Sequence, residues 1–471
     1  DVYKRQEEYT KCVIEADGKV EWIKEMKEVL EGEKEIFSLP NPTLSVTTAA
    51  QYRIETDGPI VVNSYRRKYS PAEKAALTKL TAEMYNQRII RHSTSPCDSP
   101  VLAVRKPDGN IKMAVDFRAV NKLVKPQGFP MPAIEEALDS MAGCKYFATL
   151  DLRSAYHQIE IAEEDRYKTA FSLLGEKFEY NRAPYGLATL PAFFQRFITS
   201  LLGNLNWTAA LAWLDDVIIY SRTWEEHVGH VKQLLKVFRD NNWKLKAHKR
   251  HFGMKELRYI GFIVGRDGIK TSEHLMKAVR EFATPTTKKA IMGFIGLVGY
   301  YSRYIPSFSY MTSPLRDIAN DPKPWDGVLP PTALQSFNGL KELLAKAPTL
   351  AYPDPKKCYV IDTDWSCHGI SAILSQVDSP ECLEANGKST EEILAGGARP
   401  TEKVIAFASR ALKKSEKNYG SPKGELLAFM FGLRKCRHYV AGSSFFMRTD
   451  HAALQWIQTK ELHGTDRMMQ R

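Results

Sequence analysis

LAWLDDVIIYS, residues 211–221, places two adjacent carboxylates, Asp215 and Asp216, inside an otherwise apolar run. A buried carboxylate is normally paired, protonated or bound to a metal, because moving an unpaired charge out of water is very unfavourable. The run therefore predicts a strand, a turn that carries the two acids, and a second strand. It also predicts a cation close to that turn.

A third carboxylate follows another apolar run. KYFATLDL, residues 145–152, predicts a buried strand that ends at Asp151. If the strands are neighbours in one sheet, acids that are remote in sequence meet at their tips. Converging carboxylates repel one another unless divalent cations lie between them, and oxygen ligands favour Mg²⁺ or Mn²⁺ over Zn²⁺. For an isolated Asp–Asp pair, solvated aspartates at a turn are the alternative.

Length and composition limit the class of protein. The 471 residues exceed one ordinary core and suggest roughly three units. The chain is 44% apolar and 26% charged, which is typical of a folded globular protein and not of a disordered one. Its net charge of +11 favours polyanionic partners, with a merely basic protein as the alternative. The longest apolar stretch, which begins at Ala290, is too short to span a membrane.

Cysteine usage and the chain start carry less information. Seven cysteines occur without a CxxC pair, which argues against a disulfide framework or a zinc knuckle and favours a reducing compartment. The sequence begins with Asp1 and not with Met, so we expect a fragment edge or a processing scar there.

Local signals predict alternating helices and strands. Ser70 with Glu73, and Thr223 with Glu226, have the spacing of capping boxes that begin helices. PDGN, residues 107–110, predicts a hairpin turn between two apolar runs. Residues 271–350 are mainly helical in pattern, and a new strand begins near Tyr359. The pattern predicts a mixed α/β, multidomain fold.

Several motifs follow one another in the order and spacing of a reverse transcriptase. They are SPVLAVRKPDGNIKMAVDFRAVNK (99–122), TLDLRSAYHQIEI (149–161), APYGLATLPAFFQR (183–196), AWLDDVIIYS (212–221), YIGFIVGRDGI (259–269), FIGLVGYYSRYIP (294–306) and SPLRDI (313–318). From about Tyr52 onward the chain resembles the polyprotein of gypsy-type long-terminal-repeat retrotransposons. The resemblance implies a right-hand polymerase of fingers, palm and thumb, followed by a connection segment and a ribonuclease H-like α/β domain.

The resemblance also implies domain boundaries. We expect an N-terminal segment of unknown function at 1–48, fingers and palm at 49–270, and a mainly helical thumb and connection region at 271–350. Residues 351–471 would form a C-terminally truncated ribonuclease H-like domain with a polar insertion near 378–402.

The resemblance assigns roles to individual polymerase residues. Asp151 and Asp215 match the principal ligands of two Mg²⁺ or Mn²⁺ ions, and Asp216 matches an accessory third carboxylate. The remaining matches are Lys106 and Lys112 (triphosphate), Tyr156 (the aromatic gate against ribonucleotides), Tyr185 and Gln195 (nucleotide and template pocket), Arg118 (template strand), Trp213 (primer minor groove), Lys249 (general acid toward pyrophosphate), and Tyr259 and Gly261 (primer grip). Taken singly, aromatic residues are more often core and hairpin lysines are more often solvated.

The C-terminal region resembles a ribonuclease H domain. YVIDTDWSCHGISAILSQ (359–376), NYGSPKGELLAF (418–429) and FFMRTDHAALQWI (445–457) match its motifs. They imply that Asp364, Glu425 and Asp450 gather two metal ions for attack of water on an RNA phosphodiester. A fourth carboxylate is normal in this fold; Asp466 does not match it, so we expect the nuclease site to be incomplete in this stretch.

Four departures from the family pattern stand near these motifs. Trp213 replaces a tyrosine, Thr189–Leu190 replaces Asn–Ala, Trp365 is bulky beside Asp364, and Gly424 replaces a lysine inside a helix. A drifting, inactive copy could collect such changes.

The resemblance thus implies an RNA-directed DNA polymerase. Its partners would be an RNA or DNA template with a primer, deoxynucleoside triphosphates and an RNA–DNA hybrid. We expect no membrane partner. The expected location is intracellular, in a cytoplasmic particle or the nucleus. The alternative hypothesis is an inactive relic that binds nucleic acid without extending it. A third hypothesis is that Asp151 and Asp215 are the catalytic pair of an unrelated hydrolase.

Overall fold

The computed structural model describes residues 12–37, 45–63, 67–105, 109–152, 154–245, 251–378 and 402–449. The chain divides into two compact units, with the boundary between Ile260 and Gly261. None of the described cysteines is part of a disulfide bond. Among the helices in the described ranges, none is long and apolar enough to cross a membrane.

The first unit contains short strands and amphipathic helices. Its strands are β1 (Val13–Ile14), β2 (Gln51–Tyr52), β3 (Ile90–His92), β4 (Val101–Arg105), β5 (Ile111–Val115), β6 (Tyr146–Asp151), β7 (Glu160–Ile161), β8 (Phe171–Leu173), β9 (Glu176–Tyr180), β10 (Ala210–Trp213), β11 (Asp216–Ser221), β12 (His251–Met254) and β13 (Glu256–Tyr259). Its helices are α1 (Val20–Gly32), α2 (Pro71–Asn86), α3 (Arg118–Asn121), α4 (Ile134–Asp139), α5 (Leu190–Leu202) and α6 (Trp224–Asp240).

A five-stranded sheet organises this unit, in the order β1-β12-β6-β11-β10. β6 lies at its centre and pairs antiparallel with both β11 and β12. The interior residues of β11, Val217 to Tyr220, are buried, as the apolar run predicts. Because β6 and β11 are direct neighbours, the strand ends that carry the predicted acids share one edge of the sheet.

Several elements that local sequence signals predict are present in the structure around this sheet. Ser70 and Glu73 make a complete capping box at the start of α2, and Thr223 and Glu226 make another at the start of α6. β4 and β5 pair antiparallel as the predicted hairpin. Both capping predictions are confirmed, because each depends only on residues three positions apart.

Residues 12–37 pack into the core of the first unit. β1 pairs parallel with β12, and the buried side chains Ala16, Met26 and Leu30 belong to the same apolar core as the central sheet. Trp22 stacks on Trp224 with ring centroids 4.8 Å apart. The described part of the expected N-terminal segment is therefore a structural part of this unit.

The second unit combines helices with a four-stranded sheet. Its strands are β14 (Phe262–Gly265), β15 (Gly268–Thr271), β16 (Cys358–Trp365), β17 (Gly369–Val377), β18 (Lys403–Ala411) and β19 (Phe445–Arg448). Its helices are α7 (Glu273–Arg280), α8 (Lys288–Gly299), α9 (Phe308–Asn320), α10 (Pro331–Ala345) and α11 (Ser421–Val440). The sheet runs β18-β17-β16-β19, and α11 packs on β16 and β17. The helical pattern predicted for 271–350 is confirmed.

Candidate active sites

The turn between β10 and β11 carries the Asp–Asp pair. Trp213 and Asp216 are opposite each other in the antiparallel register, so Leu214 and Asp215 form a two-residue turn. Leu214 has φ +53°, a left-handed conformation that L side chains rarely adopt. The tip of the hairpin is therefore strained and needs support from its surroundings.

Gln195 supplies that support. Its side-chain amide nitrogen donates to the Ala212 carbonyl oxygen at 2.9 Å, and its amide oxygen accepts from the Leu214 backbone nitrogen at 2.8 Å. Gln195 is only 1% exposed, so these hydrogen bonds are shielded from water. The sequence places Gln195 in the pocket lining; in the structure its side chain lies beneath the turn and holds it.

The register brings Asp151 to the same turn. Asp216 on β11 lies opposite Asp151 on β6, and the Leu152 backbone nitrogen approaches the Asp215 carbonyl oxygen at 3.5 Å. Asp215 and Asp216 are exposed, and Asp151 is half-buried. Three acids that are up to 65 positions apart in the chain thus lie at one edge of the sheet.

The charges of the three acids raise the pKa values of different tyrosines. Burial, and then the charge of Asp215, raises the pKa of Tyr156 to about 12. Burial, and then the charges of Asp215 and Asp151, raises the pKa of Tyr185. Burial, and then the charge of Asp216, raises the pKa of Tyr259. Asp215 and Asp151 therefore act on one set of aromatic residues and Asp216 acts on another.

The donor set fits a hard divalent cation. Carboxylate oxygens on adjacent strand ends are the ligands that Mg²⁺ and Mn²⁺ prefer. In the ranges that the structure describes, no three His, Cys, Asp or Glu side chains already surround one point. Like charges repel one another, so neighbouring carboxylates are expected to converge only around a cation. The backbone places Asp151 opposite Asp216, and the Leu152 nitrogen that follows Asp151 approaches the Asp215 carbonyl oxygen, so all three acids are available to such a cation.

Aromatic and basic side chains form one wall beside these acids. The ring centroid of Tyr156 lies 4.9 Å from that of Tyr185 and 5.2 Å from that of Phe194. Lys112 on β5 holds its Nζ 5.3 Å from the centre of the Tyr185 ring. Tyr185 is 45% exposed. We call Lys112, Tyr156 and Tyr185 the aromatic wall; it offers a cation, a flat surface and bulk next to the carboxylates.

His157, which was not among the predicted site residues, completes the packing behind this wall. Its ring lies edge-on to Tyr185 with centroids 5.4 Å apart, and its Nδ1 lies 3.1 Å from the Ala183 carbonyl oxygen. Burial lowers the pKa of His157 to about 4, so the ring is neutral at pH 7. Its position between Tyr156 and Gln158 in the TLDLRSAYHQIEI motif was the available sequence signal.

Other predicted residues lie in different surroundings. Arg118 is exposed and forms an ion pair with Asp116, with Nη2 and Oδ2 2.6 Å apart. Trp213 is half-buried beside the turn, whereas Tyr259 is 3% exposed. Gly261, with φ +77°, belongs to the second unit. Lys106, Lys249 and Asp450 lie outside the described residues.

The second unit carries the other predicted carboxylates on two packed elements. Asp364 is the penultimate residue of β16, and Glu425 lies in the first turns of α11, which packs on β16. Asp364 also borders a cavity of about 270 Å³ whose lining is rich in serine, with Tyr310 and His368 beside it. These positions allow both acids to serve one site.

Arg448 ties β16 to β19, and the sequence did not single it out. Its guanidinium donates to both carboxylate oxygens of Asp362, at 2.7 and 2.6 Å, and to both of Glu402, at 2.7 and 2.8 Å. Burial alone would lower the pKa of Arg448, but hydrogen bonds to Glu402 and Asp362 outweigh burial and raise it. The available sequence signals were the position of Arg448 in the FFMRTDHAALQWI motif and Asp362, two positions before Asp364.

Family models match both units. Residues 104–264 match "Reverse transcriptase (RNA-dependent DNA polymerase)", and residues 354–471 match "RNase H-like domain found in reverse transcriptase". Among curated relatives are the Retrovirus-related Pol polyproteins from transposons 297, opus and gypsy of Drosophila melanogaster. They are 33%, 34% and 32% identical over 85%, 89% and 92% of this chain. The chain spans 36%, 41% and 41% of their lengths.

Solved structures share the fold. A foamy viral protease-reverse transcriptase in complex with double-stranded DNA is similar with a TM-score of 0.81, covering 98% of this chain and 76% of that chain. The foamy viral protein in complex with an RNA/DNA hybrid is similar with a TM-score of 0.76, covering 98% of this chain and 58% of that chain. Each is 19% identical to this chain, so the likeness concerns the fold.

Proposed function

We propose, because this chain belongs to the gypsy-type retrotransposon family of reverse transcriptases, that its first unit is an RNA-directed DNA polymerase. It would transfer a nucleotide from a deoxynucleoside triphosphate to a primer 3′-hydroxyl. The observation that carries the proposal is the meeting of Asp151, Asp215 and Asp216 at one sheet edge beside the aromatic wall. This chain covers less than half of the length of these relatives, and the proposal is made for this stretch alone.

Each side chain near the acids has a role under this proposal. Asp151 and Asp215 hold divalent ions, two per site, with Asp216 as an accessory carboxylate. When bound, such ions activate the primer hydroxyl and neutralise charge on the leaving pyrophosphate. Lys112 attracts the triphosphate, and Tyr156, held against Tyr185 and Phe194, crowds the sugar 2′ position. Lys106 and Lys249 are proposed for triphosphate binding and proton donation to pyrophosphate.

The partners follow from the fold and the charge. We assign a primer–template duplex and an RNA–DNA hybrid to this chain, because structures with the same fold hold double-stranded DNA or an RNA/DNA hybrid. The net charge of +11 favours a polyanion. Arg118, Trp213, Tyr259 and Gly261 are the proposed contacts to template and primer. The family membership supports action inside the cell, in a cytoplasmic particle or the nucleus.

The second unit is proposed to cut the RNA strand of a hybrid. Asp364, Glu425 and Asp450 would hold divalent ions that activate water for attack on a phosphodiester. The packing of α11 on β16 supports this assignment, because it brings the elements that carry Asp364 and Glu425 together.

Extension of a DNA primer on an RNA template tests the polymerase proposal. We expect extension that requires Mg²⁺, and we expect Asp215→Asn to reduce it by at least a thousandfold while primer–template binding stays. Asp240→Asn, a change at the exposed end of α6, is the matched control and should extend normally. A wild-type chain that binds the duplex and adds no nucleotide would favour the inactive relic.

A further inference from the structure

Two departures from the family pattern occupy the same space in the second unit. Gly424 lies directly before Glu425 on α11, and Trp365 lies directly after Asp364 on β16. A Cβ atom added at Gly424 would lie 2.2 and 2.3 Å from Cε2 and Cδ2 of the Trp365 indole. Real Cβ atoms do not approach other atoms so closely, so an indole at 365 in this position requires glycine at 424.

The indole has little freedom to move away. Trp365 packs against a buried cluster of Ile370, Leu412 and Ala428. Its Nε1 is buried and has no hydrogen-bond acceptor among the described residues, so packing alone fixes the ring. A close-packed interior resists displacement, because each shift creates a void or a new overlap.

A second close approach fixes the helix farther along. A Cβ atom added at Gly432 would lie 2.6 Å from Cγ2 of Thr363 and 3.2 Å from Cγ2 of Ile361. Thr363 and Trp365 are two positions apart on β16, so their side chains lie on the same face, and both contact α11. α11 therefore rests on β16 at two glycines, and neither contact leaves room for a side chain.

We propose that Trp365 and Gly424 are a matched packing pair that sets the spacing between the strand that bears Asp364 and the helix that bears Glu425. The resemblance implies a small residue at position 365 and a lysine at position 424, whereas this chain has tryptophan at 365 and no side chain at 424. The two changes compensate each other in volume. Trp365 is thus a positioning residue for the nuclease site, a role that rests on the proposed function of the second unit.

Hydrogen exchange of the α11 amides in the whole chain tests the pair without any catalytic assay. Glycine to alanine in a helix normally stabilises it, so a control at Gly296, an exposed glycine of α8 with no atom within 4 Å, should keep or slow exchange in α8. We expect Gly424→Ala to speed exchange across α11 at least tenfold. In the Trp365→Ala background the same change should slow exchange. Slower exchange in Gly424→Ala alone would overturn the proposal.

The same measurement with Mn²⁺ separates positioning from packing. We expect Mn²⁺ to protect α11 amides, and we expect Gly424→Ala to need at least tenfold more Mn²⁺ for half protection. The double variant Trp365→Ala/Gly424→Ala should return toward the wild-type concentration. If the exchange pattern is as expected but Mn²⁺ protects no variant, the positioning role is wrong and the packing pair stands. Primer extension by the first unit should remain unchanged in all variants.

Discussion

At the scale of single residues, the turn that carries Asp215 depends on a buried amide. Replacing Gln195 by leucine would leave the Leu214 N–H and the Ala212 carbonyl without their partner. An unsatisfied buried group costs about 1–3 kcal/mol, so we expect the single-turnover rate of primer extension to fall about ten- to a hundredfold. Thr199→Val, which removes only a 3.4 Å contact to the same amide, should leave the rate near normal.

Tyr156 governs the choice of sugar if it stands beside the incoming nucleotide. Tyr185 and Phe194 hold its ring in place. Tyr156→Ala should therefore raise ATP incorporation relative to dATP by at least tenfold, because the bulk that meets a 2′-hydroxyl is gone. Tyr156→Phe keeps the ring and should keep the discrimination. If the alanine variant prefers dATP over ATP as strongly as the wild type does, Tyr156 is not the gate.

At the scale of elements, α1 is predicted to stabilise the first unit. Trp22 stacks on Trp224 and meets the ring of Tyr146 edge-on at 5.8 Å. We expect Trp22→Ala to lower the free energy of unfolding by about 2–3 kcal/mol, somewhat less than for a fully buried tryptophan. Val20→Ala, at a side chain that is 78% exposed, is the control and should change it little. Urea denaturation followed by fluorescence measures both; equal stability would show that α1 is only an appendage.

His227 on α6 makes the stability of the first unit depend on pH. The Gly253 N–H donates to His227 Nε2 at 3.2 Å, so the neutral ring carries its proton on Nδ1, 3.2 Å from Ser221 Oγ. Burial, and then the charge of His230, lowers the pKa of His227 to about 3. The unfolded chain, with a pKa near 6.5, binds this proton more readily. The stability is therefore complete above about pH 6.5 and declines as the pH falls toward 3.

The expected slope can be measured. Between these two pKa values, one such histidine removes about 1.4 kcal/mol of stability for each unit by which the pH falls. The free energy of unfolding between pH 6 and 5 should fall less steeply in His227→Gln than in the wild type. The same slope in both proteins would mean that His227 does not titrate on unfolding. His157, with a pKa of about 4, adds a similar pH dependence of stability, which the variant leaves in place.

The elements that were predictable from sequence are those with local causes. The capping boxes at Ser70 and Thr223 join residues three apart, and the strand that ends at Asp151 is a mostly apolar run. The pairing of β1 with β12 joins residues more than 230 positions apart, and nothing local announces it. Trp365 and Gly424 looked like two defects in sequence, because their contact exists only once α11 lies on β16.

At the scale of the whole molecule, charge should dominate affinity for the duplex. Each phosphate that a lysine or arginine neutralises releases bound counterions, so affinity falls as salt rises. Lys112→Ala should weaken binding of the primer–template with a nucleotide bound, and reduce the salt slope by about one. Lys236→Ala on α6 is a control of equal charge. Equal slopes for the two variants would show that Lys112 contacts no phosphate.

We propose above that Asp151 and Asp215 hold a divalent ion at the end of a growing strand. Iron(II) substituted for Mg²⁺, with ascorbate and peroxide, cleaves a polypeptide close to the bound ion, and the fragments report where the ion lies. We expect cuts in the first unit near residues 151 and 215, suppressed by excess Mg²⁺ and lost in Asp151→Asn. Cuts in the first unit that avoid both segments, or that persist unchanged in Asp151→Asn, would contradict it.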